Sequence, residues 1–163
     1  MEYHADAIDS HNGQHGRHAY KALLVELTID FAIMYLVMYT MIATVDHFQF
    51  NLNTVYMTLM MVAPMTIIML VAMRSMFPSR RTNIAIGVGA ALVFVASFVS
   101  MRTQAAIGDK EFVRSMIPHH SGAILMCQRA SLSDPEIVSL CDDIVTSQRA
   151  EIEQMERILR RLK

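Results

Sequence analysis

An amphipathic helix is predicted for residues 109–127, whose sequence is DKEFVRSMIPHHSGAILMC. Within this stretch, side chains recur at steps of three and four, which places them along one face of a helix. The residues of this predicted face are Asp109, Phe112, Met116, His119, Ala123 and Met126. Thioether, imidazole and thiol groups are concentrated here, and these are the side chains that bind soft and borderline transition metals.

A second helix is predicted after a break at residues 131–134. Ser133 and Glu136 fit a capping box, Pro135 suits the first turn, and the helix then runs to about Leu162. Its predicted inner face consists of Ile137, Leu140, Ile144, Gln148, Glu151 or Ile152, Met155 and Leu159. Two helices joined by a short turn form an antiparallel hairpin. Because a lone hairpin buries little apolar surface, we expect it to pair with a second copy into a four-helix bundle.

Three apolar segments precede the hairpin, at about 27–45, 54–73 and 84–101. Each is near the roughly 20 residues that a helix needs to cross a bilayer, and the first lacks the cleavage site of a signal peptide. The predicted fold class is therefore all-α. The predicted domains are a flexible, His-containing cytoplasmic tail at 1–22, a three-helix membrane domain at 23–103 and an extracytoplasmic hairpin domain at 104–163.

Basic residues predict the orientation of this membrane domain. The second connection contains Arg74, Arg80 and Arg81, whereas the first connection, residues 46–53, contains no Lys or Arg. The positive-inside rule then places the N-terminus in the cytoplasm and the hairpin outside. In a bacterium this corresponds to the inner membrane, with the hairpin in the periplasm or at the cell exterior. With a net charge of −1 and no polybasic tract, the chain is not expected to bind nucleic acid.

A metal site is predicted where the two hairpin helices meet. If the hairpin folds about Ser133, His119 and His120 lie near residues 147 and 148, and Met116 lies near Glu151. Imidazole, thioether and carboxylate then converge, a donor set that suits copper, particularly Cu(I), better than Mg or Ca. Consecutive histidines cannot both point inward, because successive helical residues are about 100° apart. The alternative is a core histidine that only hydrogen-bonds Glu151 or Gln148.

The two cysteines, Cys127 and Cys141, also lie opposite each other in this hairpin. Outside the cytoplasm they could form a disulfide. They could equally be buried thiols or a second soft-metal site, and the sequence leaves these alternatives open.

Methionine is unusually frequent, with 15 residues, and five of them recur at steps of four in the second apolar segment. This ladder consists of Met57, Met61, Met65, Met69 and Met73. Facing a neighbouring helix, it could pass a monovalent soft cation between thioethers. Facing lipid, it is only apolar surface. The tail histidines at positions 4, 11, 15 and 18 could bind metal loosely or have no function.

The hairpin resembles the family called domain of unknown function 305 (DUF305). The resemblance covers the last third of the chain, and its motif residues are Gly108, Asp109, Phe112, Met116–His120, Ala123, Ile124, Met126, Gln148, Glu151, Ile152 and Met155. It implies a ferritin-like four-helix fold, and some members are periplasmic copper-binding proteins linked to copper tolerance. Membrane-anchored versions with three preceding spans are similar in plan. The resemblance also implies that Met116, His119, His120, Met126 and Met155 are metal ligands.

The lead hypothesis is therefore a membrane-anchored protein whose extracytoplasmic hairpin binds copper, or another soft or borderline metal, and acts in metal tolerance or trafficking. We expect its partners to be the metal ion, membrane lipid and further copies of the chain, as a dimer or higher homo-oligomer formed through the hairpin. No catalytic constellation appears in the sequence, so it is not expected to be an enzyme. The alternatives are an oligomeric metal-transport channel and a purely structural membrane oligomer. The methionine ladder also resembles the Met-x-x-x-Met feature of eukaryotic three-span copper transporters, which is an analogy for the channel.

Overall fold

The computed structural model describes residues 3–162, and its side chains from His18 onward. Over this range the chain is helical and contains no strand, which confirms the all-α prediction. The helices are α1 (Tyr3–Val37), α2 (Leu52–Ala72), α3 (Arg80–Thr103), α4 (Asp109–Arg129) and α5 (Pro135–Arg161), with a 3₁₀ turn at Val45–His47. The chain forms two compact units. The first contains residues up to 34 together with 56–100, and the second contains 35–55 and the residues from 101 onward.

The first unit has a small apolar core formed by α1, α2 and the connection to α3. Leu23, Leu70 and Phe77 are its buried residues. The Tyr20 hydroxyl donates a hydrogen bond to Asn83 Oδ1 at 2.7 Å, and Asn83 Nδ2 donates to the Phe77 carbonyl at 2.9 Å. By length and composition, the 21 residues of α2 and the 24 of α3 are long and apolar enough to cross a membrane.

The first predicted span, residues 27–45, does not form one long helix. α1 ends at Val37, and its last 18 residues include Lys21, Glu26 and Asp30, so it is less apolar than α2 or α3. At the other end, α1 begins at Tyr3 and includes most of the segment predicted to be a flexible tail. Residues 3–22 contain no proline to stop a helix and continue directly into an apolar helical segment.

The second unit is built around the hairpin of α4 and α5. Its buried apolar residues are Val113, Ile117, Ile124 and Ile152, and Ile117 is completely buried. The inward face of α4 lies one position away from the predicted one, since Phe112 and Met126 are 51% and 59% exposed. Burial of branched aliphatic side chains at 113, 117 and 124 also follows the helical period, and it removes more apolar surface from water than a face that contains Asp109.

The start of α5 is set by Asp134 rather than by the predicted Ser133. Asp134 Oδ1 accepts hydrogen bonds from the backbone N–H groups of Glu136 at 2.9 Å and Ile137 at 3.1 Å. Pro135 occupies the first helical position, where its missing N–H costs nothing. A carboxylate at the N-cap also complements the positive end of the helix dipole.

The first connection, predicted as a short polar turn, folds into the second unit. Ser121 on α4 is fully buried, and its Oγ accepts a hydrogen bond from the Ala43 N–H and lies 2.7 Å from His47 Nδ1. Asn51 is 1% exposed and caps α2, with its Oδ1 accepting from the Thr54 N–H at 2.9 Å. This connection therefore covers one side of α4 next to the His119–His120 pair.

Candidate metal centre

His120 is the inward-facing histidine of the pair, and both of its ring nitrogens have partners. Nδ1 donates to the carbonyl of Met116, one turn earlier on α4, at 2.9 Å. Nε2 lies 2.7 Å from Glu151 Oε2 on α5. Since a carbonyl oxygen only accepts, Nδ1 carries a hydrogen, and a metal would bind Nε2 in place of the hydrogen that Nε2 shares with the Glu151 carboxylate. A backbone carbonyl that fixes the tautomer in this way is a recurrent support for metal-binding histidines.

Nε2 and the Glu151 carboxylate are close enough to share an ion after a small movement. Metal–nitrogen and metal–oxygen bonds are about 2.1 Å long for zinc, so two ligands of a tetrahedral ion lie about 3.4 Å apart. The observed separation of 2.7 Å is that of a hydrogen bond, and the two side chains would move apart by about 0.7 Å to share an ion. His120 is almost buried, whereas the Glu151 side chain is 52% exposed, which leaves one side of the pair open to an entering ion.

Two of the predicted sulfur ligands lie one helical turn from this pair. Met116 precedes His120 by four residues on α4, and Met155 follows Glu151 by four residues on α5. Both are partly buried, and Met155 packs against the core of the second unit. Residues four apart share a face of a helix, so Met116 lies on the same face of α4 as His120, and Met155 lies on the same face of α5 as Glu151.

The other two predicted ligands are not brought to the pair. His119 is exposed, and its ring centre lies 6.0 Å from that of His120. Met126 is exposed near the hairpin turn. The register differs from a symmetric fold about Ser133, since Glu151 faces His120 instead of Met116. The reason is that α4 turns a different face toward α5 than the one predicted.

Gln148 adds a feature that the sequence did not single out as a ligand. Its Oε1 is buried and has no hydrogen-bond partner in the described part of the chain. Gln148 lies three residues before Glu151, on the same side of α5. A buried acceptor without a donor calls for an ion, a water molecule or another chain. Nitrogen, oxygen and sulfur donors are therefore at hand, although no three His, Cys, Asp or Glu side chains converge among residues 18–162.

Cys127 and Cys141 form a disulfide, with their Cα atoms 5.3 Å apart. The bond connects α4 to α5 close to the hairpin turn, so the structure decides between the alternatives that the sequence left open. Because both sulfurs are in this bond, they are not thiolates, and the structure does not support the predicted second soft-metal site here.

Comparison with known proteins identifies the hairpin. The sequence model of a family described as a domain of unknown function (DUF305) matches residues 96–159. A protein of Acanthamoeba polyphaga mimivirus, named "Uncharacterized protein L153", is 36% identical over 118 residues, which are 71% of this chain and 76% of the viral protein. The chain belongs to the DUF305 family. No solved structure matches this DUF305 protein. The matched segment includes His120, Glu151 and both cysteines, and the family predicted from the motif is confirmed.

The methionine ladder of this DUF305 protein is divided between two environments. Met57 and Met61 are exposed, whereas Met69 and Met73 pack against the core of the first unit. Met65 lies between them and is partly buried. The ladder is thus not a uniform line of inward-facing thioethers within one chain.

Of the tail histidines, only the side chain of His18 is described, and it is exposed; the others lie outside the described side chains.

Proposed function

We propose that this DUF305 protein is a membrane-anchored protein that binds copper, Cu(I) in particular, on the non-cytoplasmic side and serves metal tolerance or trafficking. The observation that supports this most strongly is the His120–Glu151 pair. Its nitrogen is oriented by the Met116 carbonyl, and thioethers lie one turn away on both helices. A site that combines imidazole and thioether donors favours copper over Mg or Ca.

The proposal includes assembly of two hairpins into a ferritin-like four-helix bundle. Near the hairpin turn, Ile137, Val138 and Leu140 on α5 are 41–56% exposed, and Met126 on α4 is 59% exposed. Apolar side chains on one end of a hairpin are stabilised when a second copy covers them. A dimer or higher oligomer would also bring metal-binding side chains of a second chain to the site, to which one chain contributes few ligands.

The proposed membrane anchor includes α2, α3 and the second half of α1. Exposed apolar residues cover α3, among them Val88, Leu92 and Phe98, and they require lipid or another apolar surface around them. On α1, Val25, Ile29, Ile33 and Leu36 form a similar exposed stripe. The Cys127–Cys141 disulfide favours an oxidising compartment for the hairpin, in agreement with the orientation that the basic residues predict. In a bacterium, this is the inner membrane with a periplasmic hairpin.

Removal of the two flanking thioethers should weaken copper binding. We expect the variant with Met116→Leu and Met155→Leu to bind Cu(I) at least about tenfold more weakly than the wild type, because soft sulfur ligands are replaced by apolar groups of similar size. The measurement is a competition titration of the detergent-solubilised full chain against a chromophoric Cu(I) chelator. Met126→Leu is the control, since Met126 is exposed and lies six residues beyond His120, near the hairpin turn. If the double variant binds Cu(I) as tightly as the wild type, these two thioethers are not ligands of the metal.

The proposed orientation predicts which surfaces a membrane-impermeant thiol reagent reaches in intact cells. A cysteine introduced by Arg129→Cys, at the exposed end of α4, should be labelled. A cysteine introduced by Ser75→Cys, in the exposed Arg-containing connection between α2 and α3, should be labelled only after the membrane is permeabilised. Labelling of position 75 from outside would show that the orientation is the opposite of the proposed one. It would not test the copper-binding proposal.

A further inference from the structure

A polar pocket lies in the second unit at the end of the hairpin opposite the disulfide. Its volume is about 410 Å³, and it is lined by Gln49, Lys110, Arg114, Glu156, Leu159 and Arg160. The hairpin supplies five of these residues, and the first connection supplies Gln49. None of them belongs to the candidate metal centre, so the pocket needs a separate explanation.

The pocket has an excess of positive charge. Three of its lining side chains are cationic, whereas Glu156 is the one lining carboxylate. Arg114 donates one hydrogen bond to Glu111 at 2.9 Å and retains further guanidinium N–H groups. Arg160 is 3.9 Å from Glu156, a loose contact, and Lys110 has no ion-pair partner among residues 18–162. Donors with this spread suit an anion with several acceptor oxygens, such as a phosphate.

Chain connectivity indicates where this pocket lies, a step that rests on the proposed membrane anchor. Lys110 follows the end of α3 at Thr103 by seven residues, and Gln49 precedes the start of α2 at Leu52 by three. When successive helices cross a membrane, the start of the first and the end of the second emerge on the same side. Seven residues span at most about 25 Å. The pocket is therefore within reach of the lipid headgroups on the side of the hairpin.

We propose that this pocket binds a phosphate-bearing anion and that the headgroup of an anionic phospholipid is the source that its position favours. Basic residues beside a span attract anionic lipid, and each contributes a factor of about five in affinity. Arg157 and Arg161 extend the basic surface along the last turns of α5. Cations in a last turn also stabilise the helix dipole, so a purely structural role is the competing explanation that the experiment must exclude.

The experiment uses the full chain in a neutral detergent and follows bound lipid by native mass spectrometry. The probes are phosphatidylglycerol, phosphatidylcholine and inorganic phosphate. The test variant combines Lys110→Gln with Arg160→Gln. The matched control combines Arg129→Gln with Arg149→Gln, which also removes one exposed cation from α4 and one from α5, outside the pocket. A charge-conserving variant, Lys110→Arg with Arg160→Lys, tests for loss through misfolding, and circular dichroism checks the helix content of all three.

We expect the wild type to prefer phosphatidylglycerol to phosphatidylcholine and the test variant to bind phosphatidylglycerol about 25-fold more weakly, the product of two factors of about five. The control and the charge-conserving variant should bind like the wild type. Binding of inorganic phosphate that is lost in the test variant would support the phosphate site with a soluble anion as its source. Equal losses in the test and control variants would overturn the proposal, as would no loss in either.

Failure of the pocket proposal can be told apart from failure of the proposed function. Copper affinity should be the same in the test variant and the wild type, because the pocket and the His120–Glu151 pair share no residue. If the protein is released from membranes by alkaline carbonate without detergent, the anchor fails. In that case the phosphate arm of the experiment still decides whether the pocket binds anions.

Discussion

Replacement of His120 by alanine is expected to weaken Cu(I) binding by at least about 100-fold, the upper end of what loss of a group that only supports a metal ligand costs. The variant loses the Nε2 donor, and it leaves Glu151 without the partner that lies 2.7 Å away in the wild type. Glu151 is half exposed, so water can solvate its carboxylate and the fold should survive. The loss can be measured by competition with a Cu(I) chelator, with circular dichroism as the check on folding.

The neighbouring histidine provides the control for this experiment. His119 carries the same side chain one position earlier on α4 but is exposed, so His119→Ala should leave the affinity nearly unchanged. Equal losses in the two single variants would show that both imidazoles hold the metal and would contradict a site that uses the inward-facing ring alone. Unchanged affinity in His120→Ala would mean that copper binds elsewhere or that the chain does not bind it.

Loss of the disulfide has the second large expected effect. The variant with Cys127→Ser and Cys141→Ser should lose about 3 kcal/mol of unfolding free energy for the hairpin, because the bond joins residues 14 positions apart and restricts the unfolded chain. Unfolding can be followed by circular dichroism with increasing denaturant. A reductant should destabilise the wild type by a similar amount and leave the variant unaffected. Native protein whose two cysteines react with a thiol reagent before any reduction would contradict the bond.

The hairpin could be predicted from the sequence because its signals are local. Residues 131–134 interrupt a strong helical period, and Pro135 marks the next start, so both helices were expected close to their observed bounds. The predicted buried face of α4 was wrong by one position. The line through Phe112 and Met116 and the line through Val113 and Ile117 both satisfy the helical period, and the packing against α5 decides between them.

The end of the first predicted segment, which lies at Val37 and not at residue 45, was missed for a different reason. Hydropathy depends on composition within a window, whereas the end of α1 is accompanied by contacts across the first connection. The Tyr39 hydroxyl donates to the Gln49 carbonyl at 2.6 Å and accepts from Asn51 Nδ2 at 2.9 Å. Such contacts join residues 10 and 12 positions apart in a segment without periodicity, and they leave no signal in a hydropathy profile.

The candidate site was predictable in its residue types but not in its register. His120 and Glu151 were both named as donors, yet the symmetric hairpin placed Glu151 beside Met116. Consecutive histidines indicated that only one could face inward, and the orientation of α4 selects His120. Gln148 was predicted beside the histidines as a hydrogen-bond partner, whereas its unpaired oxygen and the contact of His47 with Ser121 depend on tertiary packing that the sequence does not reveal.

X-ray absorption at the copper edge of the Cu(I)-loaded full chain identifies the ligand atoms of the proposed site. We expect nitrogen or oxygen together with sulfur in the first coordination shell of the wild type. The nitrogen contribution should fall in His120→Ala, and the sulfur contribution should fall in the variant with Met116→Leu and Met155→Leu. A shell of oxygen and nitrogen alone in the wild type, unchanged in both variants, would contradict a site built from these two helices.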